Sequence, residues 1–179
     1  FQFIFPKKIQ NMMELMPTSF PDKTLKVKEK YPAKGKKIAR VALLTGCVQK
    51  ELSPQINEST IRLLNRHGVE VVVPKKIRCC GSLNHHLGKE TDANSDFVNN
   101  IETWYEEHKK GNLDAILSNT SGCGTTLKDY GFIFRNDKKL KDKAKKISEL
   151  SKDVTEYLSQ SLKLKIKKKN KKYKIAYHS

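Results

Sequence analysis

The sequence contains no apolar run of the roughly 20 residues needed to cross a bilayer. It has no secretory pattern either, because Pro6 breaks the apolar opening FQFIF and no small-residue cleavage site follows. No methionine stands first, which sets the expectation of a sequence that begins mid-protein. Acid is scarce, with 19 Asp and Glu against 36 Lys and Arg in 179 residues, a formal charge of +17. Cysteine is scarcer still, at four. The C-x2-C knuckle of common structural zinc sites is missing. No helix-turn-helix, finger or aromatic-interleaved strand pattern accompanies the positive charge, so a specific nucleic-acid partner is not expected. Four cysteines in a lysine-rich chain without an export signal point to a reducing, cytoplasmic setting and to metal or redox use.

The charge is unevenly placed. Residues 1–40 hold ten basic side chains against three acids, and residues 136–179 hold fifteen against five. The segment 41–135 contains every cysteine and holds eleven of each sign. The excess therefore sits on the flanks, notably in KLKIKKKNKKYK (163–174). Such a run attracts phosphate backbones or an anionic lipid surface without selectivity. The plainest reading is a solvated lysine face, with peripheral contact at the inner face of the plasma membrane as a lesser one.

The neutral segment alternates strand and helix signals. RVALLTG (40–46), VEVVVP (69–74) and LDAILSN (113–119) read as buried strands. Between the first two, Ser53 and Pro54 open a helix whose inward positions are read as Ile56, Thr60, Leu63, Leu64 and His67. A helix over 91–108 turns Phe97, Ile101, Trp104 and Tyr105 inward. Further helices are expected near 127–130 and over 140–158, and YKIAY (173–177) as a fourth strand. The pattern predicts an α/β fold, a parallel sheet with helices on both faces.

In that fold Cys47, the adjacent Cys79 and Cys80, and Cys123 each follow a strand, so all four fall along the sheet's carboxyl edge, where such folds bind ligands. Four convergent thiolates suit zinc or an iron–sulfur cluster. Neighbouring side chains diverge, so an adjacent pair suits a polynuclear centre better than one small tetrahedral ion. Gly81, Gly122 and Gly124 would let backbone approach a bulky cofactor. His86 follows in HHLG, where it could ligate, donate to sulfur or relay a proton, beside the plainer role of a loop hydrogen bond. His85 would point elsewhere, His67 and His108 are helix-end residues, and Tyr130 reads as packing.

The motifs VALLTGCVQ, CCGSLNHHLG and TSGCGTTLKDYG, with 31 residues between Cys47 and Cys79, resemble the cysteine-rich, or CCG, domain. That domain occurs in heterodisulfide reductase, lactate-utilisation proteins and the iron–sulfur subunit of glycolate oxidase, and the wording here is most similar to the last. The resemblance implies that Cys47, Cys79, Cys80 and Cys123 are cluster ligands. Thr120 stands where the family's C-x-x-C begins, which implies a four-thiolate [4Fe–4S] cluster, or zinc, in place of a five-cysteine cluster. It also implies a flavin-containing partner subunit that oxidises glycolate, and electrons passed toward a quinone-type acceptor. No acid–base pair or nucleophile constellation is visible, so catalysis by this chain alone is not expected. By the same resemblance, residues 1–39 read as a connector from a ferredoxin-like region, 40–162 as the cysteine-rich domain, and 163–179 as a basic linker with the first strand of a second repeat.

Overall fold

The structure, a computed structural model, describes residues 5–14, 27–164, 174 and 176. A five-stranded sheet runs in the order β1 (Lys30–Tyr31), β3 (Val69–Val72), β2 (Ala39–Leu44), β4 (Ala115–Ser118), β5 (Ser151–Asp153). All neighbours are parallel except β1, which pairs antiparallel with β3. The four longer helices of the sheet region are α3 (Pro54–Arg66), α5 (Glu90–Gly111), α6 (Ser121–Ile133) and α7 (Lys141–Leu150). Three short ones are α2 (Gln49–Leu52), α4 (Ser82–His86) and α8 (Val154–Glu156), and α1 (Lys7–Glu14) precedes the sheet.

The central strands β2, β3 and β4 form because most of their side chains are apolar on both sides, as a covered parallel sheet requires. Along β2, Ala42 and Leu44 join a core with Phe97, Ile101, Trp104, Leu127, Tyr130 and Ile147 from α5, α6 and α7. Val41 and Leu43 point the other way and join Ile61, Leu64 and Tyr157. Helices therefore cover both faces, as the alternating pattern predicts. Pro54 supplies the first residue of α3, and Gly68 ends the turn after it with φ of +78°. A Cβ at Gly68 would lie 2.7 Å from the Lys36 carbonyl oxygen, so the turn also needs the missing side chain.

Several expectations require correction. The buried residues of α3 are Pro54, Asn57, Thr60, Ile61, Leu64 and Asn65, while Ile56, Leu63 and His67 are exposed. Ser53 precedes α3 but makes no side-chain cap. The helix expected over 140–158 ends at Leu150, because the chain extends there to form β5 beside β4. Tyr105 is only partly buried. The strand expected over 173–177 and most of the lysine run lie outside the described residues. Among the described residues, no helix is long and apolar enough to cross a membrane.

Charge is organised at the amino end of the sheet. Glu70, 5% exposed, meets Lys30 at 3.0 Å, Lys37 at 2.8 Å and the Arg40 Nε at 3.2 Å. Burial opposes its ionisation, but the hydrogen bonds from Lys37 and Lys30 outweigh that and hold its carboxyl below the usual range. The group then contributes stability above the ordinary carboxylate range, and this is lost as pH falls through its lowered folded value. Denaturation at stepped pH should show wild type losing stability on acidification more steeply than Glu70→Gln. Parallel curves would contradict the assignment. For the core, Phe97→Ala should cost about 3–5 kcal/mol, whereas exposed Ile56→Ala should stay within about 0.5 kcal/mol, both read from urea midpoints.

Candidate metal centre

The loops after β2, β3 and β4 carry the four cysteines. Cys47 lies three residues past Leu44 and is exposed. Cys79 and Cys80 precede α4, the first half-buried and the second 3% exposed. Cys123 lies in the first turn of α6, past β4. The connection from β2 to β3 passes through α3 on one face, and that from β3 to β4 through α5 on the other. The junction of β2 and β4 is thus the topological switch point, and the thiols gather around it.

They gather as two pairs. The sulfurs of Cys47 and Cys79 are 3.4 Å apart, and those of Cys80 and Cys123 are 3.1 Å apart. Each thiol of adjacent residues 79 and 80 lies against a cysteine of another loop, while the two also act on each other. The pairs remain electrostatic neighbours, since Cys79 and Cys47 both act on the Cys123 thiol. The hydrogen bond to Cys123, and then burial, push the Cys80 thiol up, while the same bond lowers Cys123. Within that pair, the first negative charge settles on Cys123.

Side chains that look ordinary in the sequence fix the cysteine loops. Asn100 on α5 donates to the Cys79 carbonyl at 2.7 Å and accepts the Arg78 amide at 2.9 Å. Tyr130 on α6 donates its hydroxyl to the Cys80 carbonyl at 2.9 Å. Both clamping side chains belong to fully buried residues. Gly81 sits beneath them with φ of +78°, and a Cβ there would lie 2.4 Å from Phe97. Glycine is required by both the backbone and the ring below it.

A second polar network ties the Cys47 loop to the start of α6. Gln49 donates to Asn57 at 3.1 Å and to Asn119 at 2.6 Å, and Asn57 donates to the Thr45 carbonyl at 2.8 Å. The Thr120 hydroxyl donates to Gln49 at 2.7 Å. The Thr120 hydroxyl is thus engaged in holding two loops together. Gly124 packs near Ser118, and Gly122 has no atom within 4 Å of where a Cβ would stand. His86 is exposed and lines an open groove of about 550 Å³ with Thr125, Asp129 and Phe132, a lining without cysteine. His85 lies against Phe97, ring centroids 5.7 Å apart. Asn57, Asn100 and Tyr130 were not identified as site residues from the sequence. The one signal for the asparagines is that each sits on the inward stripe of an amphipathic helix.

The donor set fits a thiophilic metal or cluster, because it consists of four sulfurs around one sheet edge. The spacing is closed. Two thiolates on one tetrahedral ion, with bonds of about 2.3 Å, would stand about 3.8 Å apart, so both pairs must spread to bind. Among the described residues, no three ligating side chains already form a metal cage.

Residues 41–128 match the model of the CCG family, the cysteine-rich domain. The chain is similar to the glycolate oxidase iron-sulfur subunit of Escherichia coli (strain K12), 36% identical over 92% of this chain and 40% of that one. A probable glycolate oxidase iron-sulfur subunit of Bacillus subtilis (strain 168) is 26% identical over 87% of this chain and 34% of its own length. Lactate utilization protein A of the same organism is 28% identical over 66% of this chain and 48% of its own. The chain therefore spans less than half of each of these relatives. No solved structure matches it. Residues 41–128 belong to the cysteine-rich domain family.

Asn100→Ala should free the Cys79 carbonyl and the Arg78 amide together. A loss of about 1–3 kcal/mol is expected for the buried group left without a partner, with metal content falling alongside. Unchanged metal content and an unchanged urea midpoint would show that the clamp is dispensable.

Proposed function

From membership of the cysteine-rich domain family, we propose that Cys47, Cys79, Cys80 and Cys123 hold one iron–sulfur cluster, a [4Fe–4S] centre, in an electron-transfer subunit of glycolate oxidase type. The observation that supports this most is the meeting of four thiols from three strand ends at the switch point, in two pairs 3.4 and 3.1 Å wide. Such a cluster, when bound, takes up and releases single electrons. Cys80 and Cys123 grip from the buried side, and Cys47 and Cys79 from the solvent side. Phe97 and Tyr130 form the apolar floor that keeps bulk water from the inner pair. Asn100 and Tyr130 hold the adjacent pair's backbone so that the two thiols face different partners.

In the assembled complex, a flavin-containing subunit oxidises glycolate to glyoxylate, and this subunit carries the electrons toward a quinone-type acceptor. The similarity to lactate utilization protein A supports a second reading, in which the same centre serves lactate oxidation.

Anaerobic isolation with iron, acid-labile sulfide and zinc assays tests the proposal. Iron and sulfide should appear in about equal amounts, as the [4Fe–4S] composition requires. Cys80→Ser should lose both, since a hydroxyl replaces thiolate poorly on iron. One zinc per chain without iron would replace the proposal with a zinc-stabilised docking domain.

A further inference from the structure

We propose that the metal-free protein closes, under oxidation, into two specific disulfides, Cys47–Cys79 and Cys80–Cys123, so that thiol redox state regulates loading of the site. The sulfurs stand 3.4 and 3.1 Å apart, against about 2.05 Å in a disulfide, so each pair must approach by only about 1 Å. The vicinal alternative, Cys79–Cys80, is opposed twice. Residues joined by a trans peptide have Cα atoms about 3.8 Å apart, short of the usual disulfide span of about 4.4–6.8 Å. The peptide is also held on both sides, by Asn100 at the Cys79 carbonyl and Tyr130 at the Cys80 carbonyl. The two thiols already act on each other with those bonds intact, so closing a vicinal bond would require the peptide itself to turn, which would strain the two clamps.

Oxidised glutathione can serve as the oxidant. The Cys47 thiolate attacks one sulfur of the glutathione disulfide, forming a mixed disulfide and expelling one glutathione thiolate. The Cys79 thiolate then attacks the Cys47 sulfur, closing the protein disulfide and expelling the second. Two protein thiols lose two electrons and two protons, and one glutathione disulfide becomes two glutathione thiols. The inner pair follows the same chemistry, with half-buried Cys123 open to the oxidant and buried Cys80 closing the bond. Each closed pair removes two thiolates from any metal, and reduced thiol reopens it. The regulatory half of this inference rests on the cluster reading; the pairing does not.

The test uses the whole chain, isolated metal-free and reduced, then exposed to oxidised glutathione with a chelator. Free thiols are alkylated, and the non-reduced tryptic digest is mapped by mass spectrometry. Cleavage after Arg78 and Lys89 leaves Cys79 and Cys80 on one peptide, 79–89, which should carry both 41–50 and 111–128. Fragmentation between residues 79 and 80 should assign Cys79 to Cys47 and Cys80 to Cys123. Cys80→Ser should keep only the outer link and Cys79→Ser only the inner, while the wild-type map needs neither variant. A dominant Cys79–Cys80 or Cys47–Cys123 link, or glutathione adducts that never resolve, would overturn the pairing. Anaerobic reconstitution with iron and sulfide completes the test. The oxidised chain should take up none until it is reduced, and iron uptake by the fully disulfide-linked chain would overturn the regulation. Correct pairing in a chain that takes up no metal even when reduced would support the pairing and sink the cluster reading alone.

Discussion

Parallel pairing of β2 with β3 on one side and β4 on the other is the constraint from which the site follows. Val41 is registered with Val71 and with Ala115, so three strands point the same way and end along one edge. The helices leaving β2 and β3 pass to opposite faces, which opens the edge where β2 and β4 adjoin. Cysteines 47, 79, 80 and 123 need only follow their strands closely to be brought together. Their convergence is thus a property of the sheet, and the loops need supply only the final orientation.

That orientation comes from buried and half-buried amides, one hydroxyl and one phenol. Gln49, Asn57, Asn119 and Thr120 join the loop after β2 to the loop after β4, and Asn100 and Tyr130 hold the loop after β3. In a low-dielectric interior such bonds are individually modest, but leaving a partner unmet costs about 1–3 kcal/mol. They therefore restrict the loops to positions where the bonds are made. The apolar floor of Phe97 and Tyr130 adds a steric limit, since nothing larger than glycine fits at residue 81. Fold stability and thiol placement are thus written into the same side chains.

The sequence made the central strands legible because β2, β3 and β4 are buried on both faces and so read as short apolar runs. The cysteines were legible because each stands beyond such a run. β5 was not, because SKD has no apolar pattern and its place is set by backbone bonds to β4. β1 is hidden for the same reason, as only two residues, Lys30 and Tyr31, pair with β3. Apolar periodicity points to Ile56 and Leu63 on the stripe of α3, whereas the buried turns carry Asn57 and Asn65 for their hydrogen bonds. The roles of Asn100 and Tyr130 depend on loops 21 and 50 residues away in the chain, which no local pattern reveals.

X-ray absorption at the iron edge of the anaerobically isolated chain addresses the central claim most directly, because it reads the atoms bound to the metal. The account predicts iron surrounded by sulfur alone, with a further iron shell, and loss of that signal in Cys80→Ser. Iron bound through nitrogen or oxygen without sulfur, or an unaltered signal in Cys80→Ser, would contradict it.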